Sequence, residues 1–171
     1  MRADYQRISL LSSRSNGKVV LERFQGNPPY RYEIGYRIRS IVGLNFGRPK
    51  WGEYHRSELM LPSSYPLTEP NADMLTPIFH PHVYRSLKIC MGRKWTPTEY
   101  LDDFVERIGQ ILCFNPEYID QNSPANFEAL DWVNKNRHLI PTDRLEIAET
   151  AGEGFQWREK SPKIEKWKDR A

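Results

Sequence analysis

Cysteine is scarce in this chain, two residues in 171. So few cannot build a disulfide framework, and a reducing compartment fits better than secretion. Apolar residues are also few, at 39%, and no run approaches the roughly eighteen consecutive apolar residues of a membrane span. The opening MRADYQRISLLSSRSNG lacks the apolar centre of a signal peptide. A strong charge excess is missing too: the net charge of +3 falls short of the dense basic footprint of a nucleic-acid binder. The expectation left standing is a soluble cytoplasmic protein. What is plentiful is proline, with 13 residues, and aromatics, at 12%. The prolines argue against a plain helical bundle, and the aromatics can fill a core with few side chains.

The hydrophobic period changes along the chain. Tyr5, Ile8 and Leu11 fall at helical spacing over residues 1–14, and Ser15, Asn16 and Gly17 end that helix. Val19 opens a strand that stops at Gly26. Tyr30 to Val42 alternates, with Tyr32, Ile34, Tyr36 and Ile38 on one face and Arg31, Glu33, Arg37 and Arg39 on the other. Period two with one charged face predicts a half-solvated antiparallel strand. Gly43 to Gly52 reads as the hairpin loop, Glu53 to Leu61 as the returning strand, Glu69 to Asp73 as a turn, and Met74 to Phe79 as a short extended piece. Thr96-Pro97-Thr98-Glu99 has the form of a capping box. Leu101, Phe104, Val105, Ile108, Ile111 and Leu112 follow at helical spacing, predicting a helix from 97 to about 113. After a loop over 115–123, Ser123 reads as the cap of another helix, with Phe127, Leu130, Val133 and the neighbouring Ala129 and Trp132 on its buried side. Residues 143–171 turn polar and read as an extension, helical if packed by Trp157 and Trp167. Helix, antiparallel strands, then helices make an α+β domain over 1–142.

The chemistry concentrates between His80 and Pro97, HPHVYRSLKICMGRKWTP. Cys90 is a candidate nucleophile, because a thiol both attacks and leaves thioesters well. Arg85, Lys88, Arg93 and Lys94 lie within five residues of it, and positive charge favours the thiolate. From residue type alone a buried structural cysteine is the commoner outcome. A metal site using His80, His82, Cys90 and Cys113 is a rival, but the spacing fits no zinc pattern.

This segment resembles the active-site segment of the ubiquitin-conjugating enzymes, whose pattern is His-Pro-Asn, then Ile-Cys with the cysteine eight residues after the asparagine. Here Cys90 stands eight after His82. Tyr65-Pro66 is similar to the family's exit from its sheet, Trp95-Thr96-Pro97 to its Trp-Ser-Pro helix start, and Asn122-Ser-Pro-Ala-Asn126 to its entry into the next helix. All four matches occur in the family's order. The resemblance implies the ubiquitin-conjugating fold, with an N-terminal helix, a four-stranded antiparallel meander and then helices. It implies that Cys90 accepts ubiquitin or a ubiquitin-like protein as a thioester from an activating enzyme and passes it to an amine of a target, or to a ligase. No cofactor and no metal are implied. The alternative is an inactive relative that only binds the modifier.

By the same resemblance, His82 replaces the family asparagine and would steady the oxyanion or act as base. Ser123 would lie near the incoming amine. His80, Pro81 and Trp95 would be structural. Leu67, Thr96 and Pro97 would meet a ligase, and Arg2 and Arg7 the activating enzyme. The loop from Cys90 to Trp95 is shorter than the common form, and the stretch from Cys113 to Asn122 longer. These departures resemble most the conjugating enzymes of bacterial ubiquitin-like conjugation operons, which would imply a part in antiphage defence.

Overall fold

The computed structural model describes residues 2–148 together with 165 and 166; for Arg2, Glu165 and Lys166 only the backbone is described. Helix α1 (Arg2–Arg14) is followed by strands β1 (Val19–Gly26) and β2 (Pro29–Tyr36). Next come β3 (Ser40–Asn45), β4 (Arg48–Gly52), β5 (His55–Met60) and β6 (Asn71–Met74), and then helices α2 (Leu101–Leu112) and α3 (Phe127–Lys135). The antiparallel meander is β1-β2-β5-β6, and a short strand β7 (Glu165–Lys166) runs parallel to β1. This is the expected α+β order.

Three elements differ from the reading of the sequence. The alternating run from Tyr30 to Val42 is two strands, because the chain turns a corner after Tyr36 while its period-two pattern continues: Tyr36, Ile38 and Ser40 are all buried through the bend at Ile38. The expected loop Gly43–Gly52 is a paired hairpin of β3 with β4. Phe46 and Gly47 turn it with φ of 49° and 77°, the positive pair that a two-residue hairpin turn requires. The expected turn at Glu69–Asp73 is largely β6: Ala72 and Met74 point into the core, and Asn71 and Asp73 point out. Its polar composition hid the alternation.

One face of the meander packs on α1 and α2. Leu101, Phe104, Val105, Ile108, Ile111 and Leu112 are all essentially sealed from solvent, each apolar side chain stabilising the fold by about 1.5–3 kcal/mol. Tyr36 crosses beneath α2 and donates from its hydroxyl to the Val105 carbonyl. On the other face the expected charged row is present but not fully solvated: Glu33 is buried. It stands directly opposite Glu58, and each carboxylate is relieved by a diagonal arginine, Arg56 on Glu33 at 2.7 Å and Arg31 on Glu58.

The α2 start also shifts. Glu99 accepts from the Thr96 backbone N–H, but Thr96 Oγ1 bonds the Glu99 carboxylate rather than its N–H. Half the capping box closes, and the helix begins at Leu101 behind Tyr100. Helix α3 is capped by Asn126, whose Oδ1 accepts from Ala129 N at 3.1 Å, not by Ser123. Ala129, Trp132 and Val133 are buried as expected, whereas Phe127, expected inside, is 75% exposed and Leu130 is only partly buried. Beyond α3, residues 143–148 lie along the body. Leu145 is buried beside Gly109, its carbonyl accepts from Gln110 Nε2, and Ala148 exchanges hydrogen bonds with Arg14. The expectation of a helical tail packed by Trp157 and Trp167 falls outside the described residues.

Candidate active site

The segment 87–90 continues from the edge of the sheet. Ile89 N donates to Ala72 O, Met74 N to Leu87 O, and Asp73 bridges Lys88. In extended backbone alternate side chains face opposite ways. Ile89 points into the core, and Lys88 and Cys90 point outward. Cys90 is half-buried in a cleft of about 530 Å³, with Lys88 beside it and Glu69, Tyr84, Arg93, Asp120 and Ser123 around it. The thiol is therefore accessible rather than sealed. Cys113, by contrast, is fully buried at the end of α2, and burial pushes its thiol up to about 11.

His80 and His82 build the turn that carries Cys90. His80 is sealed, with its ring edge-on to Phe114 at 4.3 Å, and its Nδ1 accepts from His82 N at 2.9 Å. Burial, then the neighbouring His82, drives its proton affinity well below the ordinary histidine value. The Pro81 carbonyl accepts from both Ala125 N and Asn126 N, tying this turn to the start of α3.

His82 is also buried. Its Nε2 accepts from Asp120 N at 2.8 Å. The proton of the neutral ring therefore sits on Nδ1, which donates to the Cys90 carbonyl at 3.0 Å. Cys90 N returns a bond to the His82 carbonyl at 2.8 Å. Burial lowers the proton affinity of the ring, against the raising effects of its bond to Cys90 and the charge of Asp120, with Arg107 lowering it further. His82, expected to steady an oxyanion or act as base, has both ring nitrogens bonded to backbone groups in this arrangement. The metal reading meets the same obstacle, since three imidazole nitrogens of His80 and His82 are hydrogen-bonded and Cys113 lies inside the core. Gly92 sits against the same ring, with φ of 68°, and a Cβ there would come within 2.8 Å of His82 Cε1.

Two residues at the site escaped the sequence reading. Asp120 is held by the His82 contact at its N–H, and its Oδ1 accepts from Asn122 N at 2.8 Å. That places a carboxylate on the cleft wall with Cys90 and Ser123. Arg107 reaches from α2 to donate to Met91 O at 2.8 Å, and its guanidinium lies over Tyr118. It joins the loops on either side of the cleft. The Asp-Gln-Asn run was the local signal for the first; nothing local signalled the second. Ser123, expected as a cap, is exposed on the cleft and makes no hydrogen bond with another described residue through its side chain.

Of the four cations near Cys90, Arg85 pairs with Glu128 and Arg93 with Glu99. Trp95 donates from Nε1 to Pro66 O at 2.7 Å and packs on Phe104 and Tyr65. It brings the loop carrying Leu67, which is 77% exposed, beside Thr96 and Pro97, both exposed. Arg7 lies 3.5 Å above the Tyr100 ring and 3.7 Å from Asp102 Oδ2, so its charge is engaged within the molecule. The Arg2 side chain lies outside the described residues.

A family model described as "Ubiquitin-conjugating enzyme" matches residues 49–143. The chain is similar to ubiquitin-conjugating enzyme E2 N of Macaca fascicularis, 31% identical over 100 residues that cover 56% of this chain and 63% of that protein. It is similar to ubiquitin-conjugating enzyme E2 S of Drosophila melanogaster, 28% identical over 129 residues covering 68% and 62%. With E2 S of Dictyostelium discoideum the identity is 36% over 62 residues, 34% and 29% of the two chains. In each case the match spans less than two thirds of the relative's length. Among solved structures, human ubiquitin-conjugating enzyme E2 G1 aligns with 64% of this chain and 91% of its own, at 19% identity and a TM-score of 0.48.

Proposed function

The chain belongs to the ubiquitin-conjugating enzyme family, and on that premise we propose that Cys90 carries ubiquitin or a ubiquitin-like protein as a thioester and delivers it to an amine. The observation that supports this reading is the half-buried thiol in an open cleft that it shares with Asp120 and Ser123. In the loading step the Cys90 thiolate attacks the thioester carried by an activating enzyme. The new S–C bond forms as that enzyme's thiolate leaves. In the discharge step an amine attacks the same carbonyl carbon, the C–S bond breaks, and the Asp120 carboxylate takes the proton that the amine loses. Proton transfer to a placed side chain typically contributes about 10²–10⁴-fold. Ser123, on the same cleft, offers its hydroxyl to the incoming amine.

His82 acts through position in this scheme. It holds the loop of Asp120 against the backbone of Cys90, so that the carboxylate and the sulfur keep one geometry. The acceptor is a lysine or an α-amino group of a target, and a ligase meets the surface of Leu67, Thr96 and Pro97. Purified protein, an activating enzyme, ATP and ubiquitin or candidate ubiquitin-like proteins test the reading. A reductant-sensitive adduct is expected, converted by Cys90→Ser to a reductant-stable, base-labile ester. A protein that forms neither adduct with any modifier would be a binding module instead. Mass mapping of the attachment site separates lysine from α-amino acceptors.

A further inference from the structure

Arg107 does not line the Cys90 cleft, yet from α2 it touches both loops that border it. On one side its Nε–H donates to the carbonyl of Met91, the residue after Cys90, at 2.8 Å. On the other its guanidinium lies over the Tyr118 ring, 4.9 Å from the centroid, within the range of a cation–π contact. Tyr118 stands two residues before Asp120. The chain between α2 and Tyr118 has little slack. Asn115 N and Nδ2 donate to Gln110 O and Oε1, Asn115 Oδ1 accepts from Glu117 N, and Tyr118 N closes the turn on Asn115 O. Beyond Tyr118, the Asp120 N–H is held by His82 Nε2 at 2.8 Å. Residues 115–120 are thus fixed at Gln110, Arg107 and His82. Burial lowers the proton affinity of the His82 ring, and the Arg107 charge lowers it further. That keeps Nε2 free of a proton, as it must be to accept from Asp120.

We propose that Arg107 is a positioning residue for amine discharge: through Met91 on one loop and Tyr118 on the other, it sets the place of the Asp120 carboxylate relative to the Cys90 sulfur. The inference rests on the reading of Cys90 and Asp120 given above. Loading uses the sulfur alone, so Arg107 has no part in it. Discharge uses the sulfur and the carboxylate together, and a reacting group displaced by about 1 Å costs on the order of 10²-fold in rate. Lysine at 107 would supply the charge but neither the planar face over Tyr118 nor a fixed Nε–H for Met91 O. Because Arg107 works through Asp120, its loss costs no more than loss of the carboxylate. Once the carboxylate is gone, its loss costs nothing further.

The test loads the full chain with a glycylglycine thioester, which exchanges onto an accessible thiol without an activating enzyme, and then follows discharge to free lysine by intact mass. Arg107→Met and Tyr118→Ala are expected to load at the parent's rate and to discharge about 10–10²-fold more slowly, never more slowly than Asp120→Asn. Tyr118→Phe keeps the ring under the guanidinium and discharges within about twofold of the parent. In an Asp120→Asn background, Arg107→Met changes discharge by less than about twofold, the signature of two residues acting as one unit. Should Arg107→Met fail to fold, Tyr118→Ala carries the same expectation from the loop side. Three results overturn the inference while the thioester reading stands: parent-like discharge in Arg107→Met or Tyr118→Ala, a loss larger than that of Asp120→Asn, or an undiminished effect of Arg107→Met in the Asp120→Asn background. Parent-like discharge in Asp120→Asn overturns Asp120 as the base and this inference with it. Absence of any acyl group on Cys90 overturns the thioester reading as well.

Discussion

His82 and Cys90 exchange two hydrogen bonds: Cys90 N–H to the His82 carbonyl, and His82 Nδ1–H to the Cys90 carbonyl. The remaining ring nitrogen accepts from Asp120 N. A neutral imidazole used this way offers one donor and one acceptor, the same pair that a carboxamide offers. His82→Asn can restore both bonds, and His82→Leu can restore neither. Leucine leaves a half-buried N–H and a half-buried carbonyl unpaired, at a cost of about 2–5 kcal/mol in urea unfolding, while asparagine stays within about 1–2 kcal/mol of the parent. Amine discharge follows the same order. An asparagine variant as stable as the parent but as slow in discharge as the leucine variant would show that the ring acts chemically.

The pH dependence of stability follows from burial. His80, His82 and His55 all have proton affinities lowered in the folded chain, in each case chiefly by desolvation. Below the ordinary value of about 6.5 the unfolded chain binds protons that the folded chain refuses, so stability falls as pH drops. Glu69, Asp102 and Glu106 are shifted the other way, also by burial, and oppose the trend at lower pH. Urea midpoints should be flat above pH 7 and decline from about 6.5 downward, and His82→Asn should make that decline shallower. Midpoints that rise on going from pH 7 to 5.5 would contradict it.

Asp120 can be separated from its own backbone. Asp120→Asn keeps the N–H that bonds His82 and an oxygen for Asn122 N, and loses only the ability to take a proton. Discharge to an added amine should slow by about 10²–10⁴-fold with thioester loading retained. Ser123→Ala removes a single hydroxyl without a described partner, and should slow discharge by less than about tenfold. Single-turnover discharge from preloaded protein measures both. Equal effects of the two substitutions would move the base away from Asp120.

Much of this molecule can be read from local patterns. The apolar positions of α1 and α2 repeat at helical spacing and are buried as that spacing requires. The order of the elements and the four short motifs around Cys90 led to the family. What escaped was set by contacts distant in sequence. The corner after Tyr36 leaves the period-two pattern intact, so periodicity cannot see it. The β3–β4 turn uses Phe46 where asparagine or aspartate would have signalled it. Ser123 carries cap chemistry, but the chain keeps turning to Asn126 because Pro81 O holds the N–H groups of Ala125 and Asn126. The place of Asp120 depends on a ring 38 residues away, and that of Arg107 on a carbonyl 16 residues away.

The contrast between the two cysteines has a practical side. One sulfur is walled in by the end of α2, with its thiol pushed up to about 11, and the other opens on the cleft. An alkylating dye added to the native chain should therefore attach with a stoichiometry of one, at Cys90. A fluorescent reporter can be placed at the cleft sulfur without first engineering a cysteine-free background.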